Sequence, residues 1–205
     1  MGIKERRARE KQVTRESILN AAHQIARQEG WPALTIRKVA DAIEYSTPMI
    51  YEYFANKEEI LLELMREGYR QLIARTQQAR LSTEDLRERL FKIVDAYWDF
   101  AQSNPELYQI MNGMGGVPLD IQETARVGRE AGMVSIAALE DWAQANDIVL
   151  EDSFGSIEIT WSLMHGMVSL TLAERIEGGE PCARRLLRQG IETLLTGMTP
   201  RKSTE

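Results

Sequence analysis

TIRKVADAIEYSTPMIYEYFANKEEILLEL, residues 35–64, reads as two short helices joined by a tight turn and followed by the start of a longer helix. Thr35 is placed to cap a helix whose apolar positions Ile36, Val39, Ala40 and Ile43 follow i, i+3, i+4, i+7 spacing. Glu44 and Tyr45 fill a very short connection. Ser46 or Thr47 then caps a second helix. Pro48 in its first turn sacrifices no hydrogen bond, because early helical N–H groups have no internal partner. Ile50 and Phe54, one turn apart, form the inner side. Two short helices joined this tightly make a helix-turn-helix, whose second helix lies in the DNA major groove.

Outward from this stretch, the charge is uneven. Up to Lys57 there are ten Lys or Arg against seven Asp or Glu, a net +3, whereas the remainder carries −9. Lys4, Arg6, Arg7, Arg9, Lys11 and Arg15 crowd the first fifteen residues. A positive end on an acidic body orients a protein on a polyanion. A solvated tail without a partner is the alternative reading of the same run. The spacing predicts a basic flexible arm over 1–13, then a helix capped by Thr14 with Ile18, Leu19, Ala22, Ile25 and Ala26 inside, stopped by Gly30 and Pro32.

Asn56 caps a further helix expected over 57–79, with no break in composition after it, so it is expected to link two domains. Beyond it, Ser82 with Asp85 resembles a capping box opening a helix to about Gln102. Pro105 starts a short helix, the glycines of 113–116 demand a loop, and helices are expected over about 120–146, 152–176 and 181–198. No segment alternates β-branched and polar residues as a strand does. The expected fold is all-α, with nine helices in two domains: 14–56 for DNA, a linking helix 57–79, 80–199 for ligand binding and dimerisation, and a tail 200–205.

The segment from about Thr14 to Leu64 resembles the TetR (tetracycline-repressor-like) family of bacterial regulators. The matching residues are Thr35 and Arg37, Ala40, then Ser46, Pro48 and Tyr51, then Tyr53, Phe54, Lys57 and Glu58. Glu44 departs from the glycine that such proteins usually carry at this turn. The resemblance implies a ligand-responsive DNA-binding protein and, position by position, DNA contacts from Arg37, Thr47, Pro48, Tyr51 and Lys57.

The residues themselves extend that set. Thr47, Pro48 and Met49 offer a hydroxyl and apolar contacts suited to thymine methyl groups, and Ser46 sits at the same helix end. Arg37 has the fork geometry for guanine, with Lys38 beside it. Tyr51, Tyr53 and Lys57 flank this face and suit phosphates; for both tyrosines, core packing is the competing reading. Glu52 either accepts from cytosine N4 or discourages wrong sites.

In the acidic part, Trp98, Phe100, Tyr108, Met111, Met114, Trp142, Trp161, Met164 and His165 are candidate walls for an apolar or aromatic effector, with His165 as a polar anchor; ordinary core packing is the competing reading. Gly166 is expected to admit a neighbouring helix closely. The last two helices carry surplus apolar surface, which points to a homodimer formed through them on a palindromic operator in double-stranded DNA. An adaptor whose C-terminal domain docks a protein instead of a small molecule is the alternative. No cofactor, metal site or catalytic motif is expected, and no apolar run reaches membrane-spanning length. The single cysteine, Cys182, rules out an intramolecular disulfide and fits a reducing cytoplasm; the family resemblance implies a bacterial, nucleoid-associated protein.

Overall fold

Short polar side chains set the helix starts. In the computed structural model, which describes residues 2–117 and 119–198, the Thr35 hydroxyl accepts the Lys38 N–H at 3.2 Å. Asn56 accepts the Glu59 N–H at 2.8 Å, and Asp152 accepts the Gly155 N–H at 2.8 Å. Each satisfies a donor that the first helical turn leaves open. The resulting order is α1 (Ile3–Glu29), a 3-10 turn (Trp31–Ala33), α2 (Ile36–Ala42), α3 (Thr47–Tyr51), α4 (Lys57–Arg80), α5 (Leu86–Ser103), α6 (Pro105–Met111), α7 (Ile121–Ala145), α8 (Ser153–Leu172) and α9 (Gly179–Met198). Nine α-helices and no strand occur among the described residues, as expected. The tail expected at 200–205 lies outside them. Among them, no helix is long and apolar enough to cross a membrane.

Two helix starts differ from expectation. Helix α1 begins at Ile3, so the basic stretch expected as an arm is helical. Glu5 accepts the Gly2 N–H at 2.9 Å, Arg6 lies 3.4 Å from Glu10, and Gln12 donates to Glu16 at 2.7 Å. Lys, Arg, Glu and Gln are all strong helix formers, and these one-turn pairs carry the helix past Thr14. Thr14 is no cap; its hydroxyl donates to the Glu10 carbonyl at 3.1 Å. Nor does Ser82 cap α5, because its hydroxyl donates backward to Ala79. Asp85 does so instead, accepting from Arg87 and Glu88 N–H groups at 2.9 Å.

The turn after α2 closes with Glu44 at φ 59°. The Glu44 N–H donates to Asp41 and the Tyr45 N–H to Ala40, the paired bonds that end a helix through a left-handed residue. Glutamate tolerates this geometry at a cost that glycine does not incur. Glu44→Gly is therefore expected to stabilise the protein by about 0.5–1 kcal/mol, after allowing for the greater freedom of glycine in the unfolded chain. Thermal unfolding should shift upward by about 1–4 °C. An unchanged or lower midpoint would show that Glu44 makes a compensating contact.

The chain divides into two compact units. The first comprises Met1–Gly68 and Glu106–Ala125, the second Tyr69–Pro105 and Arg126–Glu205. Helix α6 was expected within the domain 80–199, whereas its contacts attach it to the first unit. The Trp31 indole N–H donates to the Glu106 carbonyl at 2.9 Å, and His23 Nε2 lies 2.6 Å from the Glu106 carboxylate. Arg66 binds Glu123 at 2.6 Å. A Cβ on Gly68 would sit 2.5 Å from Met111 Sδ, so a larger residue there would displace the Met111 side chain from α4.

Burial alone would raise the Glu106 pKa; the His23 hydrogen bond, a backbone hydrogen bond and the nearby positive charges of His23 and Arg27 outweigh it and hold the pKa below 4.5. The resulting stabilisation is present in full above pH 4.5 and is lost as pH falls through the depressed value. Glu106→Gln is expected to cost about 1–3 kcal/mol at neutral pH and to flatten that acid loss. Denaturant midpoints measured from pH 6 to pH 3 would check it; parallel profiles for both proteins would contradict the assignment.

In the second unit, Ala183, Leu187, Ile191 and Leu195 make a buried stripe at four-residue intervals on α9. It packs with α8 and α5. A Cβ on Gly190 would meet Leu163 Cδ2 at 2.8 Å, so the close approach of α8 and α9 occurs there. At Gly166, where a close approach was expected, no helix of this chain comes near among the described residues: nothing lies within 4 Å of a Cβ built on it.

Candidate nucleic-acid interface and effector-domain residues

Helix α3 is five residues long and is held from beneath. Ile50 is fully buried, and Phe54, just beyond the helix, is 1% exposed. The Phe54 N–H donates to the Ile50 carbonyl at 3.0 Å, which turns the ring inward. Arg15 of α1 stacks its guanidinium 4.9 Å above that ring and pairs with Glu63 of α4 at 3.1 Å. Arg15 is thus a brace between helices rather than a free cation of the arm.

On the opposite side of α3, Ser46, Pro48 and Tyr51 are exposed, Tyr51 by 52%, and Thr47 and Met49 are half-buried. Arg37 is 87% exposed, with only a loose 3.8 Å approach to Asp41. Lys38 is committed elsewhere, to Glu29 at 2.5 Å, so DNA would have to compete for it. Lys57 begins α4, is half-buried and has no ion pair among the described residues.

Tyr53 and Met49 share a groove of about 420 Å³ with α1. Arg7, Glu10, Lys11 and Thr14 form one wall; Met49, Glu52 and Tyr53 form the other. Glu52 therefore borders the N-terminal turns of α1 and shares the groove with the cations Arg7 and Lys11.

The expected effector residues fall in both units. Tyr108, Met111 and Met114 belong to the first. In the second, Trp98 and Phe100 are fully buried on α5, and Trp142 and Met164 are nearly so. The Trp98 indole N–H donates to Glu180 at 2.9 Å, and Arg75 lies 5.5 Å over the Phe100 ring. These two rings hold protein groups together. Trp161 is 41% exposed and stacks on His165, centroids 5.4 Å apart. Burial lowers the His165 pKa, favouring the neutral imidazole.

This two-part helical plan has named counterparts. A family profile described as bacterial regulatory proteins, tetR family, matches residues 18–64. A second, described as tetracyclin repressor-like, C-terminal domain, matches residues 90–194, about half of the chain. The chain belongs to the TetR family.

Among curated relatives, the transcriptional activator FasR of Mycolicibacterium smegmatis is 29% identical over 97 residues, which is 47% of this chain and 44% of FasR. The chain spans about half the length of the curated relatives it matches. A Rhodococcus protein of unknown function superposes with TM-score 0.79 at 20% identity, over 91% of this chain and 95% of that one. A Thermus thermophilus transcriptional repressor, FadR, solved in complex with lauroyl-CoA, gives TM-score 0.67 at 20% identity, over 93% and 98%. These two share the fold.

Tyr45, Arg7 and Lys11, none of them among the residues expected to contact DNA, also lie beside α3. Tyr45 is 43% exposed immediately before the cap of α3. Treating it as turn filler hid an exposed aromatic ring beside the start of α3. Arg7, Lys11 and Thr14 stand at i, i+4, i+7, a one-face signal legible in the sequence once the segment is taken as helix.

Proposed function

We propose that this TetR-family chain is a dimeric transcriptional repressor of the bacterial cytoplasm that leaves a palindromic operator when a small, largely apolar molecule binds its second unit. The observation that carries the DNA reading is the exposure of Arg37, Ser46, Pro48 and Tyr51 beside a helix pinned from below by Ile50 and Phe54. A rigid support with an outward polar and apolar edge is what base reading in a major groove requires. Thr47, Met49, Tyr53 and Lys57 complete the contact surface; Lys38 joins on release from Glu29.

Dimerisation is supported by α8. Ile159 and Leu170 are 58% and 42% exposed, and Gly166 between them faces open space. At 100° per residue these three share one side of the helix. An apolar stripe centred on a glycine suits close packing against a second copy of itself, which a two-fold axis provides. Phe154 and Trp161 are exposed too, but on roughly the opposite side of the helix, outside this stripe.

For the effector, the aromatic side chains Trp98, Phe100 and Trp142 and the thioether of Met164 in the second unit, with His165 as a hydrogen-bonding group and Trp161 stacked on it, favour an apolar molecule. The acyl-CoA held by the Thermus fold relative makes long-chain acyl compounds the first to test. Duplexes selected from a random library by the full chain would serve in gel-shift assays, with and without lauroyl-CoA, free fatty acids and aromatic compounds. Release by an apolar compound is the expected result. Selected duplexes that stay bound throughout the panel would overturn the effector reading.

A further inference from the structure

Helix α1 changes character along one stripe. From Thr14 onward that stripe is the head's inner face, with Ile18 and Ala22 at 0% exposure and Ile25 at 8%. One to three turns earlier the same stripe carries Lys4, Arg7 and Lys11, which with Thr14 fall within an arc of about 80° at 100° per residue. All three cations are exposed, and none has an ion pair among the described residues. Glu5 and Glu16 fall on the far side of the helix, and Glu10 is engaged by Arg6 at 3.4 Å. A core-facing stripe that turns cationic and exposed in the first turns of the helix is not built to bury apolar surface there. A polyanion is the partner whose chemistry completes it. The groove shared with Met49, Glu52 and Tyr53 sets this stripe directly beside the recognition helix.

We propose that the first three turns of α1 are a second DNA-contacting surface, a helical ledge whose Lys4, Arg7 and Lys11 grip phosphates flanking the major groove that α3 enters. The inference rests on the DNA-binding reading and adds an element outside the helix-turn-helix to the interface. Phosphate contacts from this ledge position the head without reading bases. Each cation that neutralises a phosphate steepens the salt dependence by about 0.9 in the slope of log K against log salt.

The test uses the full chain on duplexes it selects from a random library, titrated from about 50 to 200 mM salt, the range over which phosphate contacts dominate affinity. Arg7→Ala with Lys11→Ala is expected to reduce the slope by about 1.8 per protomer and to weaken binding at least about tenfold, by a similar factor on selected and unselected duplexes. Alanine keeps the helix, so unfolding midpoints should match the parent. Ala8→Pro, which interrupts the helix between the two cations, should weaken binding comparably. A parent that binds steeply while the double variant keeps the same slope would overturn the ledge and leave the regulator reading standing. An Ala8→Pro protein that binds like the parent would also overturn it, because the cations would then act without the helix. A parent that enriches no duplex would remove the DNA reading and the ledge together.

Discussion

Phe54→Ala is expected to destabilise the first unit by about 3–5 kcal/mol, the usual cost of removing a buried aromatic ring, and to abolish sequence-selective DNA binding. The ring is 1% exposed and underlies a helix of only five residues, far too short to hold its own shape in water. Its removal leaves the Arg15 guanidinium without the face it covers, and loosens the end of α3 that the Phe54 N–H closes on Ile50. Denaturant unfolding followed by the near-ultraviolet signal of Trp31, together with gel shift, would register both losses. Tyr51→Ala separates them: the Tyr51 side chain is half out of the protein, so stability should change little, while losing a hydrogen bond to charged phosphate should weaken DNA binding about 10–100-fold per subunit. A Phe54→Ala protein of parental stability and affinity would mean that α3 does not depend on this support.

Gly166→Leu is expected to abolish the proposed dimer and lower operator affinity by about two orders of magnitude or more, because half-sites then bind singly. Within one chain this substitution meets open space, and leucine is favoured over glycine in a helix by roughly 0.8 kcal/mol. If α8 were simply a solvent-facing helix, the variant would be more stable and otherwise unchanged. At a packed two-fold seam, the new side chain forces the helices apart. The two readings therefore differ in sign, not only in size. Light scattering at micromolar concentration and gel shift on a selected palindrome would decide between them.

The helix-turn-helix was legible because its signals are local. Thr35 caps as its side chain requires, Asn56 does the same for α4, and the apolar spacing of Ile36 to Ile43 matches burial at Val39 and Ala40. The start of α1 was obscured because dense alternating charge reads as solvated chain, although one-turn pairs such as Arg6 with Glu10 support a helix. The attachment of α6 to the head was not legible at all. It depends on a carbonyl of Glu106 meeting the indole of Trp31, seventy-five residues away, and no local pattern encodes that meeting. For the same reason Tyr108, Met111 and Met114 were grouped with Trp98 by proximity in sequence, while their unit is the other one. Glu44 could be flagged as strained from its position, and its φ shows that the turn keeps its shape without glycine.

Photocrosslinking would map the DNA contact of α3 residue by residue. A selected duplex carrying 5-iodouracil places iodine in the major groove where the thymine methyl group stands. The account predicts covalent capture of the segment Thr47–Tyr51, with yield lost when Met49 and Tyr51 are both changed to alanine and retained when exposed residues of α7 are changed. Capture mapping to any helix of the second unit, from a duplex that is demonstrably bound, would contradict the account.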